Sequence, residues 1–162
     1  MRVAAGLLIL VICSAWGFRR SLLLKRRCTL LRELRLLVEQ YSIEISCTAP
    51  TLAELAGNSG GEFGRLLCEC SGSETDIRRA WSNAVDRLSA EPGSGGEEVS
   101  LLRELGRELG TCPAESQLAL LKLYSARFDK LISAAEKSAE QQGRMYRSGG
   151  VLAGLGAAVM LL

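Results

Sequence analysis

Two uncharged runs rich in Gly, Ala and Leu, residues 3–18 and 148–162, bracket this chain, and every charge except Arg2 lies between them. That is the distribution of a small domain tied to a bilayer at both ends, not of a cytosolic enzyme. A spanning helix rises ~1.5 Å per residue through a hydrocarbon layer ~30 Å thick, so ~20 residues are usual. Both runs are shorter. Arg2, Arg19, Arg20 and Arg147 are long enough to snorkel to the headgroups and make up the difference. The expectation is a membrane helix at residues 1–18, a domain at 19–147, and a second membrane helix of marginal length at 148–162.

The basic residues set the orientation. Arg19, Arg20, Lys25, Arg26 and Arg27 follow the first run directly, and Arg144 and Arg147 precede the second. Lys and Arg beside a span resist translocation, so both clusters keep the middle of the chain in the cytoplasm. The competing reading of the first run is a cleavable secretory signal, with a small-residue site at Cys13-Ser14-Ala15. A signal carries its positive charge before the apolar region, and this run carries most of it after.

Leu, Ala, Glu and Arg dominate the middle and aromatics are few, which favours helix over strand. The formal net charge of +2 conceals an asymmetry: of 20 Lys/Arg, 14 follow Arg27, against all 18 Asp/Glu, a local balance of −4. An acidic body is a poor nucleic-acid binder, and the basic band suits anionic lipid headgroups instead. The cysteines (Cys13, Cys28, Cys47, Cys68, Cys70 and Cys112) show no framework spacing, as in a reducing compartment.

Leu30, Leu31, Leu34, Leu37, Val38, Tyr41 and Ile45 fall at i, i+3, i+4, i+7 spacing, one face of a long amphipathic helix. Nothing between Phe18 and Leu30 stops a helix, so it runs on from the first apolar run. Pro50 ends it and opens a short helix over 52–56, closed by Gly57 and Asn58. A helix over 62–69 carries Phe63, Leu66 and Leu67. Ser73 is the expected N-cap of the next, whose inner face is Ile77, Trp81, Val85 and Leu88. After the Pro92-Gly93-Ser94-Gly95-Gly96 linker, Ser94 and Glu97 form the expected capping box of a helix bearing Leu101, Leu102, Leu105 and Leu109. From Pro113 one pattern runs unbroken to Arg147. Gln117, Tyr124, Leu131, Ser138 and Met145 recur every seven residues, with Leu121, Phe128 and Ala135 between them. The expected fold class is all-α: two long helices side by side, rooted in the membrane helices, with four shorter ones packed across them.

No constellation for chemistry emerges, so no enzyme is expected. The chain has no His for general base work and no phosphate-binding loop. Cys68-Glu69-Cys70 lacks two further metal ligands, and no cofactor, metal or small-molecule substrate is expected. Glu97, Glu98, Glu104 and Glu108 are read on helix surfaces. They are either a solvated face bridged to Arg103 and Arg107 or an acidic surface for a basic patch on a partner. Trp81 reads as core rather than as an interface anchor. Gly106 and Gly110 either permit a close helix approach or end the helix; for Gly110 the second is preferred.

Ala80-Trp81, Leu105-Gly106-Arg107-Glu108-Leu109-Gly110, Gln117, Arg144-Met145-Tyr146-Arg147-Ser148-Gly149-Gly150 and the closing apolar run occur in that order. The first half adds Gly17-Phe18 and Pro50-Thr51-Leu52-Ala53-Glu54-Leu55. This order and spacing resembles the stage III sporulation protein AB family over essentially the whole chain. Thr111-Cys112-Pro113 departs from it, where Ser or Thr followed by an acidic residue is expected. The resemblance implies a membrane component of the channel-like complex between mother cell and forespore in endospore-forming bacteria. It implies a fold similar to the cytoplasmic domain of type II secretion and type IV pilus platform proteins. It also implies a non-catalytic role, in which the protein links a cytoplasmic secretion-type ATPase, the stage III sporulation protein AA, to a membrane ring. The middle domain would then lie in the mother-cell cytoplasm. The alternative is a membrane-anchored helical sensor or regulatory protein unrelated to secretion.

Overall fold

A computed structural model describes the backbone of residues 2–48, 50–74 and 76–161, and the side chains of residues 15, 18–48, 50–51, 53–74, 76–142 and 145. Its elements are helices: α1 (Arg2–Thr48), α2 (Leu52–Gly57), α3 (Gly61–Ser71), α4 (Ile77–Ala90), α5 (Gly96–Glu108) and α6 (Ala114–Leu161). The chain divides into two compact units, one comprising Met1–Arg26 and Ala134–Leu162, the other Arg27–Ser133.

In the first unit Ser21 and Ala135 are buried, whereas Phe18, Leu22 and Met145 are exposed. The backbone of both apolar runs is helical, as parts of α1 and α6. Their side chains lie outside the described residues, Ala15 and Phe18 excepted, and so does the test of the two expected spans. Among the described residues no helix is long and apolar enough to cross a membrane. Arg19, Arg20, Lys25 and Arg26 are exposed; the side chains of Arg144 and Arg147 are not among the described ones.

The second unit holds the core. All seven apolar positions read on α1, from Leu30 to Ile45, are buried, and so are Leu121, Tyr124 and Phe128 of α6. The heptad on α6 is only half right. Gln117, Leu131 and Ser138 are half-buried and Met145 is exposed, so the sealed stripe is 121, 124, 128 and 135. Polar Gln117 and Ser138 have little to gain from leaving water.

The short helices form a relay in which α2 packs on α3, α3 on α4 and α4 on α5. Phe63, Leu67, Ala84, Val85, Leu88, Leu102 and Leu105 are sealed at their contacts. Trp81 is core, as expected. Its ring stands edge-on to Phe63 at 5.0 Å and tilted to Tyr41 at 6.4 Å. Such aromatics bury about 150–250 Å² each and dominate a core as small as this one. The Trp81 Nε1–H donates to the Leu102 carbonyl at 2.8 Å, so the indole is buried without an orphaned donor.

Helix starts depart from the sequence reading by one to three residues, for identifiable reasons. Ser73 is not an N-cap. Its N–H and its Oγ both donate to the Cys70 carbonyl, which finishes α3, and Asp76 caps α4 by accepting the Arg78 N–H at 3.0 Å. Ser94 is likewise spent on the end of α4, donating to the carbonyls of Ser89 and Glu91, so α5 starts at Gly96 with Gly95 as its cap. At α2, Thr51 and Glu54 close a reciprocal capping box, with the Thr51 N–H on Glu54 Oε2 at 2.8 Å. The α3 start is supplied from elsewhere: Glu33 of α1 accepts the Glu62 N–H at 3.0 Å.

Candidate functional site

Val99, Leu102, Leu105 and Leu109 mark which side of α5 is buried, and Glu98 falls on that same side, at i−4 from Leu102 and i−7 from Leu105. Its carboxylate is fully buried, so the reading of Glu98 as part of an acidic surface is corrected. Burying a carboxylate is costly unless it is paired and hydrogen-bonded. Here Arg27 supplies a fork, with Nε on Oε1 at 3.0 Å and Nη2 on Oε2 at 2.9 Å, while the Gly95 N–H also donates to Oε1. Arg27, read as part of the basic band, thereby has a second engagement. It is engaged in this pair while remaining about one-third exposed. Its guanidinium is held charged even more firmly than usual, chiefly by the hydrogen bond to Glu98, with burial opposing.

Glycine at 95 is what lets the fork close. A Cβ there would stand 2.7 Å from Arg27 Nη2 and 2.8 Å from Glu98 Oε2. The sequence carried a usable signal in the placement of Glu98 on the leucine side. The partner was hidden inside the Lys25-Arg26-Arg27 run.

Glu97 and Glu104 face outward. They lie on one side of α5 with Ser100 and Leu101, and opposite them stand Arg127, Lys130 and Leu131 of α6. Together with Arg27 they line an open groove of about 840 Å³. Glu97 reaches Arg27 at 3.5 Å and Glu104 pairs with Arg127 at 3.1 Å. Arg127 also lies over the Tyr124 ring, 5.3 Å from its centroid. Glu108 is half-buried and accepts the Tyr124 hydroxyl at 3.4 Å. Burial first, and the Glu108 and Glu104 carboxylates second, push that phenol well above its ordinary pKa. The bridges of Glu104 and Glu108 to Arg103 and Arg107 do not form: Arg103 pairs with Asp86 at 2.6 Å across to α4.

The groove therefore presents acids on α5 and bases on α6, with Leu101 and Leu131 between them. Arg127, Lys130 and Leu131 were missed as site residues because only the α5 side shows a run of one sign. Such a surface suits the docking of a charged protein segment. Lys130 has no ion-pair partner among the described residues and is the cation left for one. No group of three or more His, Cys, Asp or Glu side chains that could hold a metal ion occurs among the described residues. Cys68 and Cys70 do not share a face, Cys68 being exposed and Cys70 buried.

The six-residue stretch from Leu105 to Gly110 resolves into structural roles. Leu105 and Leu109 are core, and Gly110, at φ +77°, turns the chain out of α5. Gly106 is the close-approach glycine. A Cβ there would stand 2.2 Å from Trp81 Nε1, so only glycine lets the indole lie flush on α5.

Comparison with known proteins agrees with this whole-chain pattern: the sequence model of the family described as stage III sporulation protein AB matches residues 2–162. No curated protein and no solved structure matches the chain.

Proposed function

The chain belongs to the stage III sporulation protein AB family, and we propose that it is a non-catalytic membrane scaffold of the secretion-like complex between mother cell and forespore. In this reading the two apolar runs anchor it in the membrane of the mother cell. Residues 19–147 then face the cytoplasm and couple a secretion-type ATPase, the stage III sporulation protein AA, to the membrane ring. The observation that carries the proposal is the family match over residues 2–162, which covers both apolar runs as well as the helical middle. The charge placement supports the orientation, with Arg19, Arg20, Lys25 and Arg26 on one side and Arg144 and Arg147 on the other. The paired-charge groove of α5 and α6, with Glu97 and Glu104 outward, supports a protein as the partner.

Two measurements on the full chain test this. In cells, a membrane-impermeant maleimide is expected to reach the exposed Cys47, Cys68 and Cys112 only after permeabilisation. Labelling in intact cells would place the domain outside and end the coupling reading. In neutral detergent, the chain is expected to retain the ATPase without hydrolysing nucleotide itself, and Glu97→Lys with Glu104→Lys to weaken retention. Hydrolysis by the chain alone, or no retention of the ATPase, counts against it.

A further inference from the structure

Arg78 of α4 and Arg103 and Arg107 of α5 line one cleft of about 140 Å³, whose other walls are Trp81, Ser82 and Gly106. The absent Cβ of Gly106 brings this about by letting α4 set its indole directly on α5. Arg103 is held in place by Asp86 at 2.6 Å. The guanidinium groups of Arg78 and Arg107 are exposed and have no carboxylate partner among the described residues. Nearby arginines do have one: Arg87 pairs with Glu69 at 3.6 Å and Arg127 with Glu104 at 3.1 Å. Among the described residues the Arg107 side chain makes no hydrogen bond or ion pair, although it lines the cleft. Arg78 further borders a second cleft of about 350 Å³, with Pro50, Thr51, Ile77 and Gln117 among its walls.

Three cations brought together with only one carboxylate between them repel one another, and an added anion relieves that repulsion. A planar guanidinium fork matches a carboxylate or a phosphate. Nucleic acid and an anionic bilayer both bring dense negative charge against a body in which 18 acids face 14 bases after Arg27. A single carboxylate on a protein surface does not. We propose that Arg78, Arg103 and Arg107 form a receptor for an acidic side chain on a partner protein. This stands independently of the coupling role, since it rests on the cleft alone.

The test observes the arginine Nε–H resonances of the full-length chain in neutral detergent while N-acetyl-glutamate methylamide is added. Saturable shifts are expected at Arg78, Arg103 and Arg107, with none from the glutamine analogue. Arg107→Gln and Arg78→Gln, both at exposed positions, are each expected to weaken binding about ten-fold, the loss of one charge-assisted hydrogen bond. Lys122→Gln, the same charge change on α6, leaves it unaltered. Absence of saturable shifts, equal response to the glutamine analogue, or unchanged binding in Arg107→Gln overturns the proposal. Stronger shifts from phosphatidylglycerol doped into the micelle than from glutamate also overturn it, in favour of a lipid surface.

Discussion

The Arg27 guanidinium and the Glu98 carboxylate meet edge to edge through two hydrogen bonds, 71 positions apart in the chain. One partner is wholly buried and the other about one-third exposed. Removing one side of such a pair leaves an uncompensated interior charge, which costs about 3–5 kcal/mol, whereas replacing both with apolar residues is often neutral. Arg27→Ala, which strands the buried carboxylate, is therefore expected to be strongly destabilising in denaturant unfolding, and Glu98→Ala less so, because Arg27 is about one-third exposed and keeps Glu97 at 3.5 Å. Arg27→Met combined with Glu98→Leu should recover most of the loss. Glu104→Ala, which breaks an exposed bridge on the same helix, should shift stability by no more than about 1 kcal/mol.

Gly106→Ala tests the seat of Trp81. The new methyl would need the space of the indole Nε1, so the ring must move and its bond to the Leu102 carbonyl must lengthen or break. Overpacking costs about 1–3 kcal/mol, with a further loss for the orphaned donor. In a Trp16→Phe background the remaining fluorescence reports Trp81 alone, and a red shift in Gly106→Ala is the expected sign of a displaced ring.

High pH should reveal Tyr41. Its phenol is sealed in the core and pushed up to about 12, chiefly by burial, with the hydrogen bond to Ser59 opposing. The unfolded chain releases this proton near pH 10, before the folded one does. Stability from this group is thus complete below pH 10 and falls as the pH climbs toward 12, by on the order of 2–3 kcal/mol. Tyr41→Phe should lose about 1 kcal/mol at neutral pH, yet flatten the alkaline decline measured by unfolding.

Thiol chemistry should divide the five described cysteines cleanly. Cys47, Cys68 and Cys112 are exposed and Cys28 and Cys70 are buried. Mass spectrometry after maleimide treatment of the native chain should find the first three modified, with the other two appearing only in denaturant. The contrast between Cys68 and Cys70 is the sharpest check, because they lie two residues apart on one helix.

Legibility in the sequence followed the range of the interaction. Periodicity found the buried side of α1 and the place of Trp81, because those signals repeat within one helix. Pro50, Gly57 and Asn58 marked the boundaries of α2 for the same local reason. Ser73 and Ser94 misled because a hydroxyl near a helix boundary serves either the end it follows or the start it precedes, and composition does not say which. The pairing of Arg27 with Glu98 was out of reach, since a basic run beside an apolar one reads as topology and nothing local points across the chain. The groove was half visible: Glu97 and Glu104 stand out on α5, but Arg127, Lys130 and Leu131 acquire a role only when α6 is laid beside it.

The carboxylate that opens α3 belongs to Glu33, 29 positions upstream of the N–H it receives. Gly60, which precedes that helix, has no side chain with which to do so. The third helix consequently borrows its beginning. Its first turn is completed by a carboxylate from another helix, a cap worth about 1 kcal/mol, so the stability of α3 is tied to the docking of α1. A fragment cut after Glu33 would keep every leucine of the short helices and still start the third one poorly.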